Sequence, residues 1–290
     1  ETTNIADYQI CDFNGDGLLD VISGVWGQAN RLNVNNGTRD PFNQASQALG
    51  SDALLTQALA VGDINKDGLL DVVSGNNGAN NLLHLNNGTA TPFTGAGINV
   101  SNIAETDITR DLVLADFNRD GFLDVIAGNQ GDPLKIYFHS KNNLAPYGVA
   151  PYQPLNTALY NIRVIRSVDI DNDGDADIIA GNDSQDTTTA TGTGTGNNTG
   201  GNFVLLNNGN GALATGYFIG QTSAGYDKDD TYGLTFGDVD NDGDLDMIAG
   251  NFGQVNKLYI NDGSVTPFID TIGTPIGAET DSTRVVVLDD

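Results

Sequence analysis

Short apolar runs recur along the chain, each opening on an aspartate and closing on a glycine. Asp71-Val72-Val73-Ser74-Gly75, Asp124-Val125-Ile126-Ala127-Gly128 and Asp246-Met247-Ile248-Ala249-Gly250 show the pattern. Runs this short and rich in β-branched residues predict buried strands, and no segment has a convincing helical period. A second kind of run precedes each aspartate-rich stretch, as in Leu112-Val113-Leu114-Ala115. A third follows a Gly-Asn turn, as in Asn81-Leu82-Leu83-His84-Leu85 or Lys257-Leu258-Tyr259-Ile260. It ends in Asn36-Gly37, Asn87-Gly88, Asn208-Gly209 or Asp262-Gly263, dipeptides that tolerate the positive φ of tight hairpins. A fourth strand should return antiparallel, with Pro41-Phe42, Pro92-Phe93 and Pro267-Phe268 marking it or its approach, and the three phenylalanines packing inward. Four antiparallel strands per repeat is the composition of a β-propeller blade.

Between the first and second run of each repeat lies a nine-residue stretch with Asp or Asn at positions 1, 3, 5 and 9 and glycine at 6. The copies start at Asp12, Asp63, Asp116, Asp169 and Asp238, so successive starts are 51, 53, 53 and 69 residues apart. A period near 50 predicts a propeller or solenoid. The repeats span approximately 1–51, 52–104, 105–157, 158–226 and 227–278, and 279–290 carries the first strand of a sixth. We expect one all-β domain over 1–290, with a flexible Thr/Gly-rich insert near 183–201 that cannot bury apolar surface.

Alternating carboxylates and amides before a glycine turn bring several hard oxygens to one point, which suits Ca²⁺ with its six to eight oxygen ligands. Side chains at positions 1, 3, 5 and 9 and the main-chain carbonyl of position 7 form the expected sets. These are Asp12, Asn14, Asp16, Leu18 and Asp20; Asp63, Asn65, Asp67, Leu69 and Asp71; and Asp116, Asn118, Asp120, Phe122 and Asp124. The last two are Asp169, Asp171, Asp173, Asp175 and Asp177, then Asp238, Asp240, Asp242, Asp244 and Asp246. Up to five Ca²⁺ ions are implied, one per loop. An EF-hand is rejected because position 12 is Ser23, Ser74, Ala127, Ala180 or Ala249, where that loop needs glutamate. Loops 4 and 5 offer four side-chain carboxylates against three in loops 1 to 3, and are expected to bind more tightly.

Composition narrows the partners. Asp and Glu number 38 against 12 Lys and Arg, a formal charge of −26, which disfavours nucleic acid and anionic membranes. No apolar run is long enough to span a bilayer, so membrane insertion is not expected. The single cysteine, Cys11, excludes an intramolecular disulfide and reads as a small buried residue.

The five Asp-x-[Asp/Asn]-x-Asp-Gly-x-x-Asp loops, the Gly-Asn turns and the Asn-Asn-Gly hairpins together resemble the FG-GAP/VCBS repeat family, which includes the calcium-loop blades of integrin α-subunit propellers. The resemblance covers essentially the whole chain except the insert. It implies a secreted or cell-surface β-propeller with Ca²⁺ held between the first two strands of a blade. Family propellers have six or seven blades, whereas this chain supplies five and a fragment. The chain is then part of a longer propeller, or its last strand serves closure or pairing with another chain.

Catalytic signals are weak. His84 and His139 lack metal-ligand spacing, and no nucleophile or phosphate-loop motif occurs. The turn after the second strand varies, with Trp26 and Phe252 where other copies carry Asn77 and Gln130. These two aromatics are candidate sugar-stacking residues, the alternative for Trp26 being packing between blades. The leading reading is a calcium-stabilised extracellular recognition or adhesion module for a glycan or protein ligand, without catalysis. The alternatives are a structural unit that self-associates through the incomplete sixth repeat, and a polysaccharide lyase or hydrolase. Sequons begin at Asn36, Asn87, Asn99, Asn182 and Asn197, two of them within the hairpin turns.

Overall fold

The computed structural model describes residues 4–148, 152–155, 160–183, 201–211, 216–220 and 227–288. Its regular elements are all strands, arranged in repeating antiparallel groups of four. The first blade pairs β1 (Ile5–Cys11), β2 (Asp20–Val25), β3 (Arg31–Asn33) and β4 (Gln47–Ala48) in that order. The second repeats it with β5 (Thr56–Gly62), β6 (Asp71–Asn76), β7 (Leu82–His84) and β8 (Ile98–Asn99). In the third, β9 (Ile108–Ala115) and β11 (Lys135–Tyr137) both pair with β10 (Asp124–Asp132), and β12 (Gln153–Pro154) pairs with β11.

The fourth blade comprises β13 (Tyr160–Val168), β14 (Asp177–Asn182), β15 (Phe203–Leu205) and β16 (Tyr217–Phe218). The fifth comprises β17 (Thr231–Gly237), β18 (Asp246–Asn251), β19 (Lys257–Tyr259) and β20 (Thr274–Pro275). The four-stranded antiparallel blade of a β-propeller is therefore the building unit, as the hairpin and turn spacing predicts. Pro-Phe marks the approach to the fourth strand rather than the strand itself.

The chain groups into two compact units. One comprises Glu1–Leu114, Phe122–Ala127 and Lys135–Pro154; the other comprises Ala115–Gly121, Gly128–Leu134 and Leu155–Asp290. In the first, Phe13, Ile22, Leu32, Leu49, Leu59, Val72 and Phe93 form one core, and Ile64, Val73, Leu83, Val125 and Tyr137 belong to a second. The second unit buries Val164, Ile170, Ile179, Val204, Leu234, Met247, Tyr259 and Phe268. Each core mixes residues of successive blades, so no blade buries its apolar faces alone.

The glycine that closes each second strand permits this close approach. A Cβ on Gly75 would lie 2.8 Å from Thr109, and one on Gly128 would lie 2.7 Å from Ile162. Those distances are closer than a real Cβ tolerates, so any larger residue there would force the next blade's Thr109 or Ile162 side chain to shift.

The first residues of the third strand vary in chemistry. Lys135 pairs with Glu105 at 3.1 Å and with Asp107, while Tyr137 donates to Glu105 at 2.8 Å. Lys257 repeats this with Asp227 at 2.5 Å and Asp229 at 2.6 Å, and Tyr259 donates to Asp227 at 2.9 Å. Blade 4 places Phe203 against Tyr160 there instead, with ring centres 4.6 Å apart.

Three expectations need adjustment. Phe93 and Phe268 are buried but Phe42 is 42% exposed. Phe93 packs edge-on against Phe13 of the preceding loop at 6.0 Å. Residues 279–288 carry no regular strand; the Thr283 amide donates to the Asn251 carbonyl at 2.9 Å, but no following strand among the described residues pairs with this segment. Asp183 and Gly201, at the limits of the insert, are buried, while 184–200 lie outside the described residues.

Candidate metal-binding loops

Each aspartate loop lies between the first and second strands of its blade and is folded by its own first residue. Asp12 Oδ1 accepts the Gly15 amide at 2.8 Å and Oδ2 accepts the Gly17 amide at 2.8 Å. Asp63, Asp116, Asp169 and Asp238 likewise accept the amides of Gly68, Gly121, Gly174 and Gly243. Those glycines have φ between 87 and 98°, and Gly17 has φ 85°, the left-handed region that glycine enters without steric cost. The Gly17 amide is the main cause that lowers the Asp12 pKa.

Position 9 has a second task that the spacing alone does not reveal. Asp20, Asp71, Asp124, Asp177 and Asp246 are fully buried. Asp71 Oδ2 accepts the Ile64 amide at 3.0 Å, and Oδ1 accepts the Asn86 amide at 2.8 Å. Asp20, Asp177 and Asp246 make the same pair of bonds, to Phe13 and Asn35, Ile170 and Asn207, and Val239 and Asn261. One carboxylate thus pins the loop's start to the end of the third strand. Burial pushes Asp71 up to about 6 and Asp177 up to about 7, because desolvation penalises the ionised form.

The asparagine that receives this bond extends the tie to the preceding blade. Asn86 Nδ2 donates to the Phe13 carbonyl at 2.8 Å, Asn207 Nδ2 to Phe117 at 2.9 Å and Asn261 Nδ2 to Ile170 at 3.0 Å. Each carbonyl belongs to position 2 of the previous loop. Sequence reasoning missed these residues, having valued Asn-Asn-Gly for its turn; the recurrence of the first asparagine was the available signal. In blade 3 His139 takes the position: its amide donates to Asp124 at 2.8 Å and its ring stacks on Phe122 at 4.5 Å. His84 is buried and its pKa is lowered by desolvation. Both histidines therefore have packing roles.

Position 3 divides the loops. In loops 1 and 2 the Asn14 and Asn65 Oδ1 atoms accept the amides of Asp16 and Asp67, and their Nδ2 groups donate to the same residues' carboxylates at 3.0 and 2.9 Å. In loops 4 and 5, Asp171 and Asp240 bring a carboxylate to that place. The Asp171 pKa is raised by burial and then by the Asp173 charge; the Asp240 pKa is raised by desolvation and by Asp242 and Asp246.

Carboxylate oxygens of Asp169, Asp171 and Asp177 all lie within 4.8 Å of one another, as do those of Asp238, Asp240 and Asp246. A Ca²⁺–oxygen bond of about 2.3–2.6 Å allows opposite ligands to stand about 5 Å apart, so these donor sets fit the ion in chemistry and in span.

Four overlapping segments, 12–74, 63–127, 116–180 and 169–249, match the model of the FG-GAP-like repeat. The chain belongs to this repeat family. Among curated relatives, it is 26% identical over 130 residues to cartilage acidic protein 1 of Homo sapiens, covering 43% of this chain and 19% of that protein. With the Mus musculus protein it shares 24% over 183 residues, covering 61% of this chain and 26% of the relative. The matched region thus spans only 19 to 26% of the length of those proteins.

Among solved structures, a lectin of Agrocybe aegerita, described as recognising non-reducing terminal N-acetylglucosamine, superposes with a TM-score of 0.59 at 19% identity. The match covers 96% of this chain and 68% of the lectin. The V. cholerae biofilm matrix protein Bap1 gives 0.52 at 15% identity, covering 96% of this chain and 41% of that one. At such identities the likeness concerns the fold. Among the described residues no helix is long and apolar enough to cross a membrane.

The two candidate aromatics differ in surroundings. Trp26 and Phe252 are each 37% exposed. Phe252 stacks on Tyr232 at 5.0 Å, and Arg284 lies over both rings. Trp26 pairs through its backbone with Leu55 in an isolated bridge. Of the sequons, Asn36 and Asn87 fold their own turns by accepting from Thr38 and Thr89. Asn182 is buried, which excludes it as a glycan acceptor in the folded chain; Asn197 lies outside the described residues.

Proposed function

We propose that this chain is a calcium-stabilised extracellular recognition or adhesion module that binds a glycan or a protein and has no catalytic role. The observation that carries it is the convergence of the Asp169, Asp171 and Asp177 carboxylates in loop 4 and of Asp238, Asp240 and Asp246 in loop 5. Positions 1, 3, 5 and 9, with the position-7 carbonyl, would hold one ion in each loop. The ion would neutralise the crowded carboxylates and lock the turn between the first two strands, a structural role in keeping with an outward-facing, calcium-rich setting.

The ligand would meet the variable turns. Trp26 is the favoured stacking residue, since Arg284 already lies over Phe252. It is also the only tryptophan, so its fluorescence reports on any ligand that covers it. The test is a glycan array read in Ca²⁺ and in chelator, followed by fluorescence titration of the hits. Binding that needs Ca²⁺ and is lost in Trp26→Ala supports the reading. A blank array with a positive protein pulldown would replace the sugar by a protein ligand. A second reading, self-association through the sixth segment, is favoured by Val285 and Val287, each 76% exposed. Light scattering that finds only monomer at high concentration would remove it.

A further inference from the structure

Positions 4 and 7 of the loops carry no role in the ligand sets through their side chains, yet they meet across successive blades. Position 4 has a left-handed backbone in all five copies: Gly15, Lys66, Arg119, Asn172 and Asn241 have φ between 54 and 75°. The position-7 side chain lies beneath the hairpin glycine of its own blade. A Cβ on Gly37 or Gly88 would stand 3.1 Å from Leu18 or Leu69, and one on Gly209 or Gly263 would stand 2.7 Å or 2.5 Å from Asp175 or Asp244. From the second loop onward, position 4 then reaches position 7 of the next loop. Lys66 Nζ sits 4.0 Å over the Phe122 ring, Arg119 is ion-paired with Asp175, and Asn172 Nδ2 donates to Asp244 Oδ1 at 2.7 Å.

Three different chemistries serve one geometric contact, which marks the contact itself as the recurring feature. Its receiving end is the residue whose carbonyl belongs to the proposed ligand set. We infer that the ion sites of loops 4 and 5 are energetically coupled through Asn172 and Asp244, with Asn172 acting as a positioning residue for loop 5. This rests on the reading that both loops bind Ca²⁺. Ordering of loop 4 around its ion fixes Asn172, which holds Asp244 and hence the position-7 carbonyl in place for the second ion. Linkage requires the reverse effect to be equal, so an ion in loop 5 strengthens loop 4 by the same factor. Arg119 stands in the same relation to loop 4, and it also neutralises Asp175, whereas the Asp244 charge remains.

The chain supplies its own substitutions for a test. Asn172→Gly introduces the residue loop 1 carries at position 4, compatible with the left-handed backbone, and Asp244→Leu introduces the residue of loops 1 and 2 at position 7. Ca²⁺ titration of the full chain is followed by nuclear magnetic resonance at the Gly174 and Gly243 amides, which donate to Asp169 and Asp238 and report loops 4 and 5 separately. In Asn172→Gly the Gly243 midpoint should move to at least about 5-fold higher Ca²⁺, the low end of typical coupling factors. The double variant should be no weaker than Asp244→Leu alone. Asn172→Arg, which recreates the Arg119–Asp175 pairing, should restore the midpoint, an outcome a merely structural side chain would not produce. Binding at both glycines with an unchanged Gly243 midpoint in Asn172→Gly overturns this inference alone. Absence of any Ca²⁺ response at either glycine overturns it together with the reading beneath it.

Discussion

Loops 1 and 2 and loops 4 and 5 share a glycine turn and a buried position-9 aspartate, and differ at position 3, asparagine against aspartate, as well as at positions 4 and 7. In the first pair an asparagine carboxamide donates to the position-5 carboxylate and satisfies the loop from within. In the second pair an aspartate faces that carboxylate with no proton to offer, and burial and like charge raise the Asp171 pKa. The same fold therefore yields turns hydrogen-bonded from within at position 3 and turns that bring carboxylates together there. If these loops hold Ca²⁺ as proposed, exchanging an amide for a carboxylate trades self-sufficiency for affinity.

The comparison breaks first at what the loops share. Asp71→Ala strips three amides of an acceptor and Asp177→Ala strips two, at about 1–3 kcal/mol per orphaned buried group. Both variants should lose that stability in chelator as well as in Ca²⁺, by denaturant unfolding; a loss confined to Ca²⁺ would show that position 9 matters only as a metal ligand. The next effect separates the classes. Saturating Ca²⁺ at 100 times its dissociation constant should stabilise the protein by about 2.7 kcal/mol per site. Asp171→Asn with Asp240→Asn should remove most of the gain seen at low micromolar Ca²⁺ while leaving the chelated protein no less stable, by calorimetry.

Asn14→Asp is the reciprocal change and a smaller one. It should lower chelated stability by about 0.5 kcal/mol, the scale of an exposed surface change, and enlarge the response of loop 1 to Ca²⁺. If the melting temperature in chelator rises instead, the Asn14–Asp16 hydrogen bond is not what settles the loop. A separate effect is a pH trend in chelator. The folded-state pKa values of Asp71 and Asp177 lie above the carboxylate range, at about 6 and 7, so their contribution to stability is complete below about pH 4. It is lost as pH rises through 6 to 7. The metal-free protein should then unfold more readily at pH 7.5 than at pH 5, and Asp71→Asn with Asp177→Asn should flatten that slope.

The sequence made the blades legible because their signals are local. Strand length, glycine boundaries and Asn-Gly hairpins all act within a few residues, and the nine-residue loop states its own chemistry. What stayed hidden depends on neighbours far along the chain. Asn86 reaches back 73 residues to Phe13, and Asn172 reaches forward 72 to Asp244. Neither partner could be named before the blades were stacked. Position 9 was read as a ligand because its aspartate is obvious, while its tie to the third strand appears only once that strand is placed 15 residues away at Asn86. Phe42 misled for the same reason: its motif matches Phe93, but Phe93 owes its burial to Phe13 of the loop before it.

The contacts between positions 4 and 7 also bear on assembly of a chain made of near-copies. Repeats so alike in backbone invite docking in the wrong order during folding. Here a cation seeks an aromatic ring at Lys66 and Phe122, a cation seeks an anion at Arg119 and Asp175, and an amide seeks a carboxylate at Asn172 and Asp244. The pairs are not mutually exclusive, since a cation at position 4 also suits Asp175 or Asp244, so they join successive blades without enforcing their order. The rim of each loop thereby works as a clasp between consecutive copies, built from two residues whose chemistry is free to change as long as they meet.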